Sequence, residues 1–316
     1  MSRALLRRIL FPLAAKLIEG FVVLAVLATL LFFAMRLLPG DPAVLVLGDQ
    51  ARPEEIARLR HQLHLDEPLM VQYARFWNGL LHLDLGDSLR RPGVRAMARV
   101  VENIGPTSAL AALSVLLGSI AGTALAVLGI GPWLGQKRAW VDRSVNVISA
   151  VPLLSFAPVL TLLLSARLRL VPLPGDPESG FAGLLFASML LALPLSMHVA
   201  RVGRAALDEV ARGQFLLVAK AKGAKGWRIW WLHAVPAAIG PFVTVIAAQL
   251  GALLGGAVVL ERLFERAGLG SLILDAYASR DLPVLQAAVL AAAALFVFAQ
   301  SAATVVHALI DPRVNR

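Results

Sequence analysis

The sequence predicts an all-α, polytopic membrane protein with six transmembrane helices. Hydrophobic residues make up 58% of the 316 positions and charged residues only 16%, and the hydrophobic residues come in long unbroken blocks rather than at amphipathic spacing. A bilayer core about 30 Å thick needs about 20 apolar residues per helix, because every backbone polar group must be hydrogen-bonded within the segment itself. Six blocks of the sequence meet this requirement.

The six predicted spans are apolar throughout and almost free of charge. They cover approximately 20–38, 109–130, 145–165, 181–199, 234–260 and 284–309. Arg36 is the one charged residue in them, at the edge of the first block, where its side chain can reach the interface. Arg36, Leu37, Leu38 and Pro39 follow the first block in place of a small-residue cleavage site, so we expect a retained helix.

The net charge of +10 could indicate nucleic-acid binding, so its distribution along the chain decides its meaning. Lys and Arg concentrate in four segments that alternate with acidic or charge-balanced ones. The basic segments are 1–19, 131–144, 200–233 and 310–316. The positive-inside rule therefore predicts that both termini and the two basic loops are cytoplasmic. The charge indicates a membrane lipid environment and not a nucleic-acid partner.

The first long loop, 36–107, is predicted to be folded outside the cytoplasm. Pro53 starts a run in which apolar residues recur at helical spacing, and a second amphipathic stretch covers 69–81. Both runs favour short helices that lie on the membrane surface.

The second long loop, 200–236, is longer than a connection between two packed helices needs. We expect a helix over 208–222, ended by Gly223 and Gly226, and then interfacial aromatic residues before the fifth span. This pattern predicts a helix–turn–helix docking element in the cytoplasm.

The sequence lacks the motifs of several enzyme and carrier classes. It has no cysteine, which excludes disulfides, thiolate metal sites and cysteine catalysis. It also has no phosphate-binding Gly-x4-Gly-Lys-Ser/Thr loop, no His-Glu-x-x-His and no Gly-x-Ser-x-Gly. His61 and His64 are three apart on a predicted helix, but without a third ligand we interpret them as surface residues. We therefore predict no catalytic residues, no cofactor and no metal.

Short motifs follow one another in order along nearly the whole chain. They are Arg36-Leu-Leu-Pro-Gly-Asp-Pro42; Leu63, Leu65, Asp66, Pro68, Gln72 and Tyr73; Asp84-Leu-Gly86 with Ser88; Gly255-Gly-Ala-Val-Val259 with Glu261; Phe264 and Gly268-Leu-Gly270; Arg280-Asp281 with Pro283; and Asp311-Pro-Arg313. In this order they resemble the membrane subunits of dipeptide, oligopeptide and nickel ABC importers. Three positions depart from the family pattern. The family usually has proline where this chain has Ala267, and Asn and Asp where it has Gln300 and Thr304.

The basic loop resembles the coupling motif of this family, Glu-Ala-Ala-x3-Gly-x9-Ile-x-Leu-Pro. Gly223 takes the place of the glycine and Pro236 that of the proline, while His233 and Val235 replace the Ile and Leu. The segment 219–223 also matches the Ala-Arg-Ala-Lys-Gly of peptide importers closely. The ATPase-coupling residues that the resemblance implies are Leu217, Val218, Ala219, Lys220, Lys222, Gly223 and Pro236.

The resemblance implies the fold of a type I ABC importer permease in a bacterial inner membrane. The whole chain, 1–316, would form a single permease domain, with 36–107 outside and 200–236 as the cytoplasmic coupling loop. The implied partners are a sister permease subunit, in a heterodimer, two cytoplasmic ATP-binding subunits and an extracytoplasmic solute-binding protein. The transported solute would be a dipeptide or oligopeptide, nickel or a related small solute.

Polar residues within the spans could line a path for the solute or could hydrogen-bond between helices. The candidate path residues are Asn146, Ser155, Gln249 and Gln300. Thr161, His198 and Thr244 are further polar residues within the predicted spans. Gly251 and Gly255, four apart, indicate close helix packing. An ATP-independent channel or secondary carrier is the alternative function, which the lack of charge inside the spans disfavours. A membrane-bound enzyme has no supporting constellation.

Overall fold

The computed structural model describes residues 3–37, 41–48, 51–130, 138–224 and 226–310. Regular structure in these ranges is helical, apart from an isolated bridge between Asp87 and Arg95. The long helices are α1 (Arg3–Leu37), α5 (Ala96–Ile130), α8 (Gly180–Ala211), α12 (Ile239–Leu263) and α14 (Leu282–Ile310). The shorter helices are α2 (Pro42–Leu47), α3 (Pro53–Gln62), α4 (Leu69–Leu81), α6 (Arg138–Ala150), α7 (Leu153–Thr161), α9 (Gln214–Ala221), α10 (Trp227–Ile229), α11 (Val235–Ala237) and α13 (Leu269–Ser279).

Among the described residues, five helices are individually long and apolar enough to cross a membrane, and they match five of the six predicted spans. Several extend beyond the apolar block, since charged and polar residues continue the helix into water. Helix α5 begins at Ala96, well before the predicted position 109, and α8 continues to Ala211 instead of ending near 199. The predicted outer loop therefore ends earlier than the sequence suggests.

The third predicted span, 145–165, is not a straight helix. Helices α6 and α7 meet at a bend of 107° around Val151 and Pro152. Pro152 has no N–H group to continue the α6 hydrogen-bond ladder and disfavours helical geometry at the residue before it. The sequence contained this signal, because Pro152 lies inside the apolar block.

Helices α5 and α8 pack in parallel through glycines. A Cβ atom at Gly118 would lie 2.7 Å from Leu195, and one at Gly122 would lie 2.6 Å from the backbone oxygen of Ser196. Gly129 lies beside Arg204, further along both helices. Residue numbers increase in the same direction along α5 and α8, so the two helices are parallel. The chain that joins two parallel spans must return across the membrane between them. This parallel arrangement supports the interpretation of the bent α6–α7 pair as a sixth crossing.

Helices α6 and α12 both run antiparallel to α8. Asp142 of α6 forms an ion pair with Arg204 of α8, and Val145 packs against Met197 and Ala200, which come earlier in α8. On α12, Phe242 abuts Gly203, Gly256 abuts Leu191, and Phe264 after the helix stacks edge-on against Phe186. Helices α5, α6, α8 and α12 thus alternate in direction along the chain.

The chain divides into two compact units. Unit 1 comprises Met1–Leu17, Ser108–Arg266 and Phe296–Arg316, and unit 2 comprises Ile18–Thr107 and Ala267–Leu295. The main core of unit 1 is built on α8, with Leu191, Leu195 and Leu207 almost fully buried. Of the two glycines predicted to pack helices, Gly251 faces Phe296, whereas Gly255 has no neighbour within 4 Å.

Candidate functional site

Helix α9, in the loop that resembles the coupling motif, has two faces. Leu216 is buried in the core of unit 1, and Ala219, three residues later, packs against the same core. Val218 is 52% exposed, and Lys222, four residues later, is exposed beside it on the opposite face. The side chains of Leu217 and Lys220 lie outside the described residues. One face of α9 thus packs against the core of unit 1, and the opposite face, which is apolar and basic, is exposed.

A turn at Gly223 ends this helix. Gly223 has φ +89°, a conformation that residues with a Cβ atom rarely adopt, and the amide of Ala224 donates back to the carbonyl oxygen of Ala219. Gly226 has φ +58° and starts the short helix α10. The predicted glycine breaks are therefore confirmed at the residues described.

The return to the membrane passes through a π-helical turn, Trp230–Ala234, and the short helix α11, in which Pro236 is exposed. Ile229 and Ala234 are buried in the unit 1 core, whereas Trp227 is 61% and Leu232 60% exposed. Some residues of the loop are thus packed in the core of unit 1, while large apolar side chains between them are exposed. Helix α12, which corresponds to the fifth predicted span, begins at Ile239, not at the predicted 234.

The prediction of one helix over 208–222 is wrong. Helix α8 runs through Asp208 to Ala211, the chain turns at Arg212 and Gly213, and α9 starts anew at Gln214. Gly213 explains the break, because glycine weakens a helix interior by about 1 kcal/mol relative to alanine.

The four candidate path residues lie on four helices of unit 1. Asn146 on α6 and Ser155 on α7 are exposed, and Gln249 on α12 and Gln300 on α14 are partly buried. No hydrogen bond joins any of these four side chains to another described residue. Of the other polar residues in the spans, Thr244 and His198 bond carbonyl groups one turn earlier in their own helices instead of neighbouring helices.

Unit 2 contains a buried polar contact, which we call the clasp, between Ser88 and Asp281. The Ser88 hydroxyl donates to the Asp281 carboxylate, and the Leu89 amide donates to Asp281 Oδ1 at 3.1 Å. Arg90 Nε adds a bond to the carbonyl oxygen of Ser279 at 2.5 Å. Ser88 and Asp281 are each only 5% exposed. The clasp fixes the loop before α5 to the junction of α13 and α14.

Helix α13 is held at its other end as well. The Leu269 amide, at the start of α13, donates to Thr107 Oγ1 at 2.8 Å in a buried setting. Between the two ends, Leu272 and Ala276 pack in one apolar cluster with Ala96 and Val100 of α5. The first part of α5 therefore holds α13 along its whole length.

The chain matches known protein families over most of its length. Residues 114–316 match the binding-protein-dependent transport system inner membrane component, and residues 1–88 match the N-terminal region of the same class of membrane component. The chain belongs to this family of binding-protein-dependent transport system inner membrane components. The family resemblance read from the sequence motifs is thereby confirmed.

Relatives with assigned names cover nearly all of the chain. A putative peptide transport system permease protein of Brucella suis is 32% identical over 313 residues, which are 94% of this chain and 96% of the relative. A glutathione transport system permease protein of Salmonella choleraesuis is 33% identical over 298 residues, 92% and 94% of the two chains. A probable peptide ABC transporter permease of Sinorhizobium fredii is 29% identical over 310 residues, 95% and 97% of the two chains.

A solved structure supports the fold. The inward-facing MetNI methionine ABC transporter matches with a TM-score of 0.57 and 19% identity over 68% of this chain and 97% of that chain. The family is one of membrane permease subunits, so this chain is a multi-pass inner-membrane protein. Family membership also implies association with ATP-binding subunits and a solute-binding protein.

The family motifs meet one another in unit 2. Arg36 Nε and Nη2 donate to Gln72 Oε1 at 3.0 and 2.8 Å, and the Arg36 guanidinium lies 3.5 Å from the centre of the Phe32 ring. Gln72 Nε2 in turn donates to the carbonyl oxygens of Leu65 and Glu67. Arg36 is therefore bound to α4, a role that sequence reasoning missed when it assigned the side chain to the interface.

An ion pair supports the same turn between α3 and α4. Arg75 Nη2 donates to Glu67 Oε1 at 2.8 Å, and this bond lowers the pKa of Glu67 below its ordinary value. His64, one of the two helix histidines, lies with Nδ1 3.1 Å from Glu67 Oε1. Within the described ranges, no three His, Cys, Asp or Glu side chains come together as metal ligands.

The clasp also joins two motifs, the segment at 84–88 and the segment at 280–283, and sequence reasoning did not connect them. Thr107 carried no motif signal at all. The motif residues Leu38, Pro39, Gly40, Asp311, Pro312 and Arg313, and the basic residues Lys137 and Lys225, lie outside the described residues.

Proposed function

We propose that this chain is one of two permease subunits that together form the path for a peptide substrate, with ATP hydrolysed by separate cytoplasmic subunits. The two-faced helix α9 is the observation that supports this best. Leu216 and Ala219 anchor it in the core of unit 1, while Val218 and Lys222 face outward. A short amphipathic helix of this kind fits a groove on a partner protein. The chain itself would have no ATPase activity.

The coupling loop would transmit ATP-driven movement to the membrane helices. Its two ends continue directly into α8 and α12, the pair of antiparallel helices at the centre of unit 1. Rigid-body movement of the ATPase subunits would therefore tilt both helices together. In this account 200–236 is the cytoplasmic coupling loop and 36–107 an extracytoplasmic loop of a single permease domain with both termini inside.

A small-residue face of α12 supports contact with a sister permease. The exposed residues on this face recur at intervals of about one turn and are Thr244, Ala248, Ala252 and Gly255. Small side chains let two membrane helices approach closely. Gln249 lies next to this face, as expected for a residue near a path between two permeases.

Peptides are the proposed substrate class. The named relatives from Brucella and Sinorhizobium are peptide permeases, and that from Salmonella is a permease for glutathione, a tripeptide. The absence of an acidic or basic residue inside the six apolar blocks except Arg36 supports ATP as the external energy source, because ion-coupled carriers generally use such residues.

Substitutions on the exposed face of α9 test the proposal. The double variant Val218→Asp/Lys222→Glu is expected to reduce the amount of co-purified ATPase by roughly tenfold, since it places negative charge where an apolar and basic surface is needed. A deletion of the loop would be less informative, because Leu216, Ile229 and Ala234 belong to the core.

The matched control adds the same charges on another exposed helix. Ala57→Asp/Arg58→Glu alters α3, which would face the opposite side of the membrane. It should leave ATPase co-purification unchanged. Normal ATPase recovery with the Val218→Asp/Lys222→Glu variant, at normal membrane yield, would exclude α9 as the docking helix.

A further inference from the structure

The clasp gathers three arginine residues at one surface of unit 2. Arg90 bonds to Ser279, and Leu89 bonds to Asp281, so Arg280, which lies between these two partners in the chain, is brought beside Arg90 and Arg91. Arg90, Arg91 and Arg280 are all exposed. We call these three residues the basic tip.

The backbone under the basic tip is held in place. Ser88 Oγ accepts hydrogen bonds from the amides of Arg90 and Arg91 at 3.3 and 3.0 Å, while its own hydroxyl proton is donated to Asp281. The turn is thus fixed to a buried carboxylate. Side chains on a fixed turn lose less conformational entropy on binding than those on a mobile loop.

Arg280 adopts a backbone conformation that suits glycine. Its φ is +58° at the end of α13, where helices usually place glycine or asparagine because a Cβ atom is strained there. Arginine at this position retains the backbone strain that glycine would avoid, and it presents a long cationic side chain. Strained residues concentrate at functional sites.

The basic tip has a surplus of positive charge. Within the described ranges, neither Arg91 nor Arg280 has an ion-pair partner. Asp87, one residue before Ser88, is also exposed. In the proposed orientation the basic tip faces away from the cytoplasm, the side on which the positive-inside rule predicts fewer arginines.

We propose that the basic tip docks an acidic surface of the extracytoplasmic solute-binding protein, with Asp281 as the residue that positions it. This inference rests on the proposed function. Opposite charges at the rim of an interface accelerate association and fix its orientation. Docking there would also press on α13 and the start of α14, because the clasp joins both to the tip.

The test uses the complete transporter in lipid nanodiscs with its purified solute-binding protein. ATPase activity is measured against binding-protein concentration at low and high salt. Arg91→Glu/Arg280→Glu is expected to raise the half-saturating concentration about tenfold at low salt while the maximal rate stays unchanged. Added salt should raise the half-saturating concentration of the wild-type transporter toward that of the variant.

Two further variants separate docking from folding. Arg280→Gly removes the side chain and relieves the backbone strain, so it should weaken docking while the complex remains at least as stable as the wild type. Arg58→Glu changes an exposed arginine elsewhere in unit 2 and should have no effect.

An unchanged half-saturating concentration in both Arg280 variants would overturn the docking proposal, as would a fall in maximal rate alone. Failure of the wild-type complex to respond to its binding protein would instead contradict the proposed function. The two failures are therefore distinguishable.

Discussion

The hydroxyl group of Ser88 donates a hydrogen bond to the carboxylate of Asp281, 193 positions further along the chain. Both residues are buried, and Asp281 also accepts a bond from the Leu89 amide. Together with Thr107 at the opposite end of α13, this contact makes the start of α5 and the whole of α13 one packed element.

Removing the Asp281 carboxylate should destabilise unit 2. Asp281→Ala leaves the Ser88 hydroxyl and the Leu89 amide without an acceptor, and each buried unpaired donor costs about 1–3 kcal/mol. The melting temperature of the purified transporter in detergent measures the loss. Asp87→Ala, an exposed neighbour, should change the free energy of unfolding by less than about 0.5 kcal/mol. Equal melting temperatures for the two variants would contradict the buried clasp.

Glycines on α5 should differ in their tolerance of alanine. At Gly122 a methyl group would approach the Ser196 carbonyl oxygen and Val199, and overpacking of this kind costs about 1–3 kcal/mol. Gly105, on the same helix, has no neighbour within 4 Å, and alanine there should stabilise by up to about 1 kcal/mol. Thermal unfolding followed by size-exclusion chromatography compares the two. Similar behaviour of Gly122→Ala and Gly105→Ala would argue against the close approach of α5 and α8.

Single-cysteine labelling should establish the crossings, and the native chain contributes no cysteine background. Arg58→Cys and Glu178→Cys should react with a membrane-impermeant maleimide in intact cells whose outer membrane has been made permeable. Lys222→Cys should react only after the inner membrane is opened. Glu178 follows the bent α6–α7 pair, so protection of Glu178→Cys in intact cells would mean that the pair turns back without crossing.

The end of α9 should depend on the backbone freedom of Gly223. Gly223→Ala forces a Cβ atom into positive φ at a cost of about 1 kcal/mol, although no neighbouring atom lies within 4 Å. Co-purified ATPase should fall in this variant. Gly223→Asn should retain more ATPase, because asparagine tolerates positive φ better than alanine. The reverse order would point to side-chain contacts instead of backbone conformation.

The sequence predicts local structure well where a single segment contains the information. Residues 69–81 form α4 as expected, because amphipathic spacing alone specifies a short helix. The start of α3 at Pro53 follows in the same way from the fixed φ of proline. The five spans that form single helices follow from apolar length, although their ends do not, since polar residues can continue a helix beyond the apolar block.

Contacts between distant segments could not be predicted in this way. The motifs that contain Ser88 and Asp281 were visible in the sequence, but nothing in either motif indicates that the two side chains meet. Thr107 gives no sequence signal, because its role depends on the position of Leu269. The untested coupling residues stay predictions, with Val218 and Lys222 now assigned to an exposed face.

The bend at Pro152 constrains the medium around the third crossing. Pro152 has no N–H group, and the first helical bonds of α7 run from the amides of Ser155 and Phe156 to the Pro152 carbonyl oxygen, so the amides of Leu153 and Leu154 lie before these bonds within the third predicted span. Hydrocarbon would leave these groups unsolvated at a cost of several kcal/mol each. The bend must therefore contact water or another protein chain, and Asn146 and Ser155, which flank it, would be hydrated residues inside the bilayer.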